Sequence, residues 1–133
     1  MTFIADTGWI VAYRNPEDLH HEWAGRASAL VNGPVLVCEA VLAEAAFLLG
    51  GPWPVLEMVW DETLVVAFEL APQAQALRAL ARTYADRKPD LADLCVVRMS
   101  ELYPEARVLT VDRKDFSVYR RFKNQPIDFD APR

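Results

Sequence analysis

The stretch TFIADTGWIVAYRN, residues 2–15, decides how the rest of the chain is read. TFIA is a short apolar run that stops at Asp6-Thr7-Gly8, and it predicts a buried strand closed by a turn. TGWIVAYRN then predicts a short helix. The same succession recurs downstream. PVLV (34–37) precedes EAVLAEAAFLLGG, a helix closed by Gly50-Gly51. TLVVAFEL (63–70) is β-branched and precedes APQAQALRALARTYADRK, an Ala/Leu/Arg helix broken at Pro89. RVLTV (107–111) follows the helix DLADLCVVRMSELYP. Two more helices fill the gaps. PEDLHHEWAGRASALVN starts with Pro and acids and ends at Asn32-Gly33, and PVLEMVWDE is short. Strands alternating with helices predict an α/β fold: a mainly parallel, buried central sheet flanked by helices in three layers. One domain is expected over 1–133, with its core at about 3–122 and a tail, 123–133, whose two prolines predict a loop.

A chain of 133 residues fits one domain and can bury roughly two-thirds of its unfolded surface, enough for a core without staples. At 53% hydrophobic and 25% charged, it has the balance of a soluble globular protein and not of a disordered one. The net charge of −5 excludes binding of polyanions by bulk electrostatics. The charge is uneven, however. Residues 107–123 hold six Lys or Arg against two Asp, +4, which leaves −9 for the remainder. Cys38 and Cys95 fit neither a zinc spacing nor a redox pair, and two buried free thiols in a reducing cytoplasm are expected. The start lacks the features of a signal peptide, and no apolar run approaches the ~18 residues that span a bilayer.

The acids fall in a pattern. Asp6 ends the first strand and Asp112 ends the last. In open α/β sheets ligands bind outside the carboxyl ends of strands, so both aspartates can face one crevice. An Asx-turn or a helix cap explains either one alone. Glu44 stands in a helix where Ala40, Val41, Phe47 and Leu48 are its neighbours at spacings of three and four, all apolar. A helix this apolar is expected to be largely buried, and an ionised carboxylate there needs a partner or a cation. Glu39 suits a helix start. Asp90 follows Pro89 as a natural N-cap. Asp93 sits three residues on, like the acid of a capping box, and can face inward beside Leu94 and Val97. If these acids converge, their repulsion demands a cation, and an all-carboxylate set selects Mg²⁺ or Mn²⁺. Such ions activate water for attack on phosphorus. The basic run after Asp112 then has a use: Arg113, Arg120, Arg121 and Lys123 are candidate contacts to a phosphate backbone. A solvated basic strip is the alternative.

Four blocks in order, FIADTGWIVAYRNPEDLHHEWA, VLVCEAVLAEAAFLL, DLADLCVV and VLTVDRKDFSVYR, resemble those of PIN-domain nucleases, closest to VapC-like toxin ribonucleases. The resemblance spans about residues 3–122. It implies a PIN-like three-layer α/β fold and hydrolysis of RNA with Mg²⁺ or Mn²⁺. It also implies Asp6, Glu44, Asp93 and Asp112 as the catalytic, metal-binding acids, and Asp115 as a further metal ligand at an accessory acidic position. Asp90 competes with Asp93 for the third place. Leu94 departs from the small residue that many relatives carry there. A paired antitoxin protein and a homodimer are further implications.

Other readings carry less. DTG is also the tripeptide of aspartic proteases, which are all-β. A receiver-like signalling domain needs a central phosphoacceptor Asp that PVLV and TLVVAFEL lack. A non-catalytic PIN-like module that binds RNA or protein is disfavoured by the complete set of acids. His20 and His21 stand in a polar stretch and are expected at the surface. Trp9, Trp23, Trp53 and Trp60 are expected in the core or at a partner interface, with Trp53 of the GGPWPVL loop as an exposed candidate.

Overall fold

Phe3–Ala5 form strand β1, buried along its whole length at the centre of a five-stranded parallel sheet. The computed structural model describes residues 1–133. The other strands of this sheet are β2 (Val35–Val37), β3 (Leu64–Val66), β4 (Arg107–Leu109) and the late strand Phe129–Asp130. A two-stranded hairpin of Arg120–Arg121 and Gln125–Pro126 lies between, so these three late strands are β5, β6 and β7 in chain order, with β7 the one that joins the sheet. Strand order is β3-β2-β1-β4-β7. Ile4 is paired with Leu36 on one side and Val108 on the other. Helices α1 (Thr7–Arg14), α2 (His21–Ser28), α3 (Glu39–Leu48), α4 (Trp53–Trp60), α5 (Ala74–Thr83), α6 (Leu91–Leu102) and α7 (Arg113–Phe116) complete a three-layer α/β architecture. Apolar strands without alternation are what a parallel sheet covered by helices requires. After β3 the chain crosses back to place β4 beside β1, and the strand order reverses there. That reversal opens a crevice at the carboxyl ends of β1 and β4.

The local chemistry that closes this end is specific. Asp6 N–H donates to the Leu109 carbonyl at 2.9 Å, tying the exit of β1 to β4. A Cβ on Gly8 would stand 2.2 Å from Val111 Cγ2. The first turn of α1 therefore packs directly on the residue before Asp112. Val111 is β-branched and cannot swing away cheaply.

Several elements differ from the sequence reading. The segment after Asn15 is a turn, held by Asp18 N–H to Asn15 O at 3.0 Å, so α2 starts only at His21. The third strand is three residues long, and Phe68, two residues past its end, is buried. The tail is not all loop. Phe129 and Asp130 pair with Val108 and Leu109, Ile127 is buried, and Arg107 reaches Asp128 and Asp130 at 3.7 and 3.4 Å. Helix α3 is not largely buried. Only Val41 and Ala45 are enclosed, while Phe47 is 83% and Leu48 57% exposed. With Trp53 and Trp60 of α4, 70% and 88% exposed, they leave an apolar face uncovered by the chain itself. Trp9 is in the core. Cys38 and Cys95, remote in sequence, are both buried there as free thiols.

The Gly8–Val111 contact yields a test. Gly8→Ala should destabilise the fold by about 1–3 kcal/mol in urea unfolding, the usual range for overpacking. Adding Val111→Ala should make the double variant more stable than the sum of the two single changes. Simple additivity would show that the two residues do not meet.

Candidate metal centre

At the crevice lies an open cavity of about 520 Å³. Asp6, Glu44, Asp93, Asp112 and Asp115 all line it, so one space receives every acid singled out in the sequence. Four of them come from four separate elements, and Asp115 shares α7 with Asp112. Asp6 caps α1 at the end of β1, Glu44 projects from the middle of α3, Asp93 from the first turn of α6, and Asp112 caps α7 beyond β4. Asp90 also reaches the rim, but its Oδ1 accepts the Asp93 N–H at 2.8 Å. That is the capping role, and it leaves Asp93 as the acid directed between helix and sheet.

Four of the five carboxylates, all but Glu44, have a partner supplied by the fold. Asp6, only 6% exposed, accepts from Thr7 N–H at 2.9 Å and from the Thr110 hydroxyl at 2.7 Å. Thr110 Oγ1 in turn accepts the Asp112 N–H at 2.9 Å, so one buried hydroxyl joins the two strand-end acids. Tyr119, buried against Phe116 and Tyr84, donates its hydroxyl to Asp93 Oδ2 at 3.1 Å. Asp112 Oδ1 accepts the Asp115 N–H at 3.0 Å. Asp115 is paired with Arg87 at 2.7 Å.

The electrostatics record the crowding. Burial pushes Asp6 from 3.8 up to about 6, partly opposed by its Thr110 and Thr7 hydrogen bonds, with the Glu44 and Asp112 charges adding to the rise. Asp93 is pushed up to about 7, first by burial and then by the charges of Asp90 and Asp6. Burial likewise raises Asp112. Asp115 goes the other way, lowered by the Arg87 guanidinium. Raised acids gathered in a cleft make it a candidate functional site.

The donor set suits a hard, hydrated cation. No three His, Cys, Asp or Glu side chains are preformed as a ligand group. Mg²⁺ does not require one, since it keeps several waters and uses one or two carboxylates. Thr7 supplies an independent sign. It is 4% exposed, lines the cavity beside Asp6, and its Oγ1 has no hydrogen-bond partner. A buried hydroxyl without a partner is costly, and a cation's coordinated water would satisfy it.

The cations of the basic segment lie elsewhere. Arg113 donates to Ala131 O, Arg120 to the Ser117, Val118 and Tyr119 carbonyls, and Arg121 to Ser100 O and Pro104 O. Lys123 and Arg120 line a separate groove beside α5. The cationic residues on the acidic cavity are Arg87 and Lys88, which the sequence reading passed over within a helical segment. It also passed over Thr7, Thr110 and Tyr119. His20, expected at the surface, is part-buried and lines the cavity, while His21 Nδ1 contacts Ala12 O at 2.7 Å. The sequence matches no known family model and no curated protein.

The raised acids set the pH dependence. Between pH 3.8 and about 7 the native state holds protons on Asp6 and Asp93 that the unfolded chain has released. Stability must therefore fall as pH rises through that window when no divalent ion is added. Asp93→Asn should flatten the fall and raise the Tm at pH 8 by a few degrees, as seen by calorimetry. A Tm that climbs from pH 4 to 7 would contradict the raised acids.

Proposed function

We propose that the protein is a Mg²⁺- or Mn²⁺-dependent endoribonuclease of the PIN-domain kind, resembling VapC-like toxins. The observation that carries this reading is the meeting of Asp6, Glu44, Asp93 and Asp112 in one open cavity at the strand-order reversal. Asp6, Asp93 and Asp112, with Glu44, would hold the cation. When bound, a divalent ion of this class supplies Lewis acidity and a water acidic enough to be deprotonated near neutral pH.

The chain's own residues supply the rest. Thr110 orients Asp6 and Asp112 through one hydroxyl, and Tyr119 orients Asp93. The open mouth of the cavity admits a polymer, where an enclosed pocket would admit only a small ligand. The RNA class comes from the resemblance. So do a cognate antitoxin and a second copy of the chain as partners, to which the exposed face of Phe47, Trp53 and Trp60 lends support. No helix is long and apolar enough to cross a membrane.

Purified protein should cleave single-stranded RNA when Mg²⁺ or Mn²⁺ is added, and not in EDTA. Asp6→Asn, Glu44→Gln, Asp93→Asn and Asp112→Asn should each lower the rate by about 10²-fold or more. Asp90→Asn should stay within a few-fold of the parent, because Asn also caps a helix. Metal-independent cleavage, or loss of activity in the Asp90 variant with retention in the Asp93 variant, would refute the assignment.

A further inference from the structure

An acidic cavity that binds a cation still has to accept an anion. Seven carboxylates line this one, from Asp6 round to Asp115, against two cationic side chains, Arg87 and Lys88. A single divalent ion leaves the lining negative, so a phosphodiester needs a positive foothold at the same cavity. The basic segment near the chain end does not provide it. Arg113, Arg120 and Arg121 each tie one guanidinium nitrogen to backbone carbonyls, and none of them lines the cavity.

Arg87 is placed differently. It ends a 3-10 turn, Ala85–Arg87, and the chain then reverses through Lys88 at φ 49° and Pro89 into the Asp90 cap of α6. Its Nη2 donates to Asp115 Oδ1 at 2.7 Å, and its buried Nε has no partner. A guanidinium carries five N–H donors, so much of the fork is unspent. Asp115 is also the one lining aspartate whose carboxylate is directed at a cation of the chain. The planar guanidinium fork can take a phosphate in a bidentate pair, and the bond to Asp115 fixes one of its nitrogens.

We propose that Arg87 is the anchor for the substrate phosphate and that Asp115 is its positioning residue, not a ligand of the cation. The proposal rests on the nuclease reading and deepens it. It divides the acids into two groups. Asp6, Glu44, Asp93 and Asp112 serve the cation, whereas Asp115 serves the arginine. Lys88, exposed beside Arg87, adds charge to the same rim without a fixed geometry.

The test combines Mn²⁺ affinity without RNA, read as free Mn²⁺ by electron paramagnetic resonance, with steady-state cleavage of a single-stranded RNA over a salt series. Asp115→Asn should bind Mn²⁺ within about twofold of the parent, while Asp6→Asn binds it at least about tenfold more weakly; a charge-assisted hydrogen bond sets that scale. Arg87→Ala should keep Mn²⁺ affinity, raise KM about tenfold or more with a smaller change in kcat, and make the dependence of log(kcat/KM) on log salt shallower by roughly 0.7. Arg87→Lys should restore the salt slope while recovering KM only in part, which a purely structural role for Arg87 would not produce. Asp115→Asn should raise KM in the same direction as Arg87→Ala. Loss of Mn²⁺ affinity in Asp115→Asn to the level of Asp6→Asn would overturn the proposal. So would an unchanged KM and salt slope in Arg87→Ala. If the parent protein neither binds Mn²⁺ nor cleaves RNA, the nuclease reading fails and this proposal falls with it.

Discussion

Repulsion between carboxylates gathered at the carboxyl end of the sheet is the constraint on which the rest of this structure depends. A fold does not assemble such a group for stability. Burial and mutual charge raise Asp6, Asp93 and Asp112 above the ordinary carboxylate range, and each raised acid weakens the folded state at neutral pH. The hydroxyls of Thr110 and Tyr119 and the guanidinium of Arg87 offset part of that cost. They also fix where each carboxylate points. The Thr7 hydroxyl, buried and without a partner, marks where that compensation is incomplete.

The scaffold holds these acids together through few covalent neighbours and many tertiary ones. Asp6 and Asp112 are brought within reach by parallel pairing of β1 with β4 and by the close packing of Gly8 on Val111. Asp93 is set by the Asp90 cap, which fixes the first turn of α6. Glu44 arrives from the middle of α3, which contacts both α1 and α6 and so ties it to the acids at the starts of those two helices. The site is therefore sensitive to packing at positions that carry no charge.

Much of this was legible in the sequence. An apolar run that stops at an acid shows a strand end, so Asp6 and Asp112 stood out, and the Pro89-Asp90 pair marked the start of α6 but left Asp90 and Asp93 as rivals for the third acid. Glu44 was found for a reason that holds only in part. Its helix is apolar, but Phe47 and Leu48 face solvent and Glu44 itself is part-buried, so the apolar composition reflects an uncovered face as well as a core. The sequence did not show Thr110 or Tyr119, because a hydroxyl that bonds an acid more than twenty residues away leaves no local pattern. β7 is two residues long and too short for periodicity; it is held by pairing to β4 and by Arg107. The +4 balance of residues 107–123 was visible, but not the backbone carbonyls that occupy its arginines, nor that Arg87 would face the acids instead.

Proton release on cation binding tests the convergence of these acids most directly. A cation must displace the protons that Asp6 and Asp93 retain near pH 6, because a ligating carboxylate is ionised. Titration calorimetry with Mn²⁺, run at pH 6 in buffers of different ionisation enthalpy, should show net proton release that vanishes at pH 9 and shrinks in Asp93→Asn. Mn²⁺ binding with no proton release at pH 6, or binding of equal strength in an Asp6→Asn, Asp93→Asn double variant, would show that these carboxylates do not share a cation.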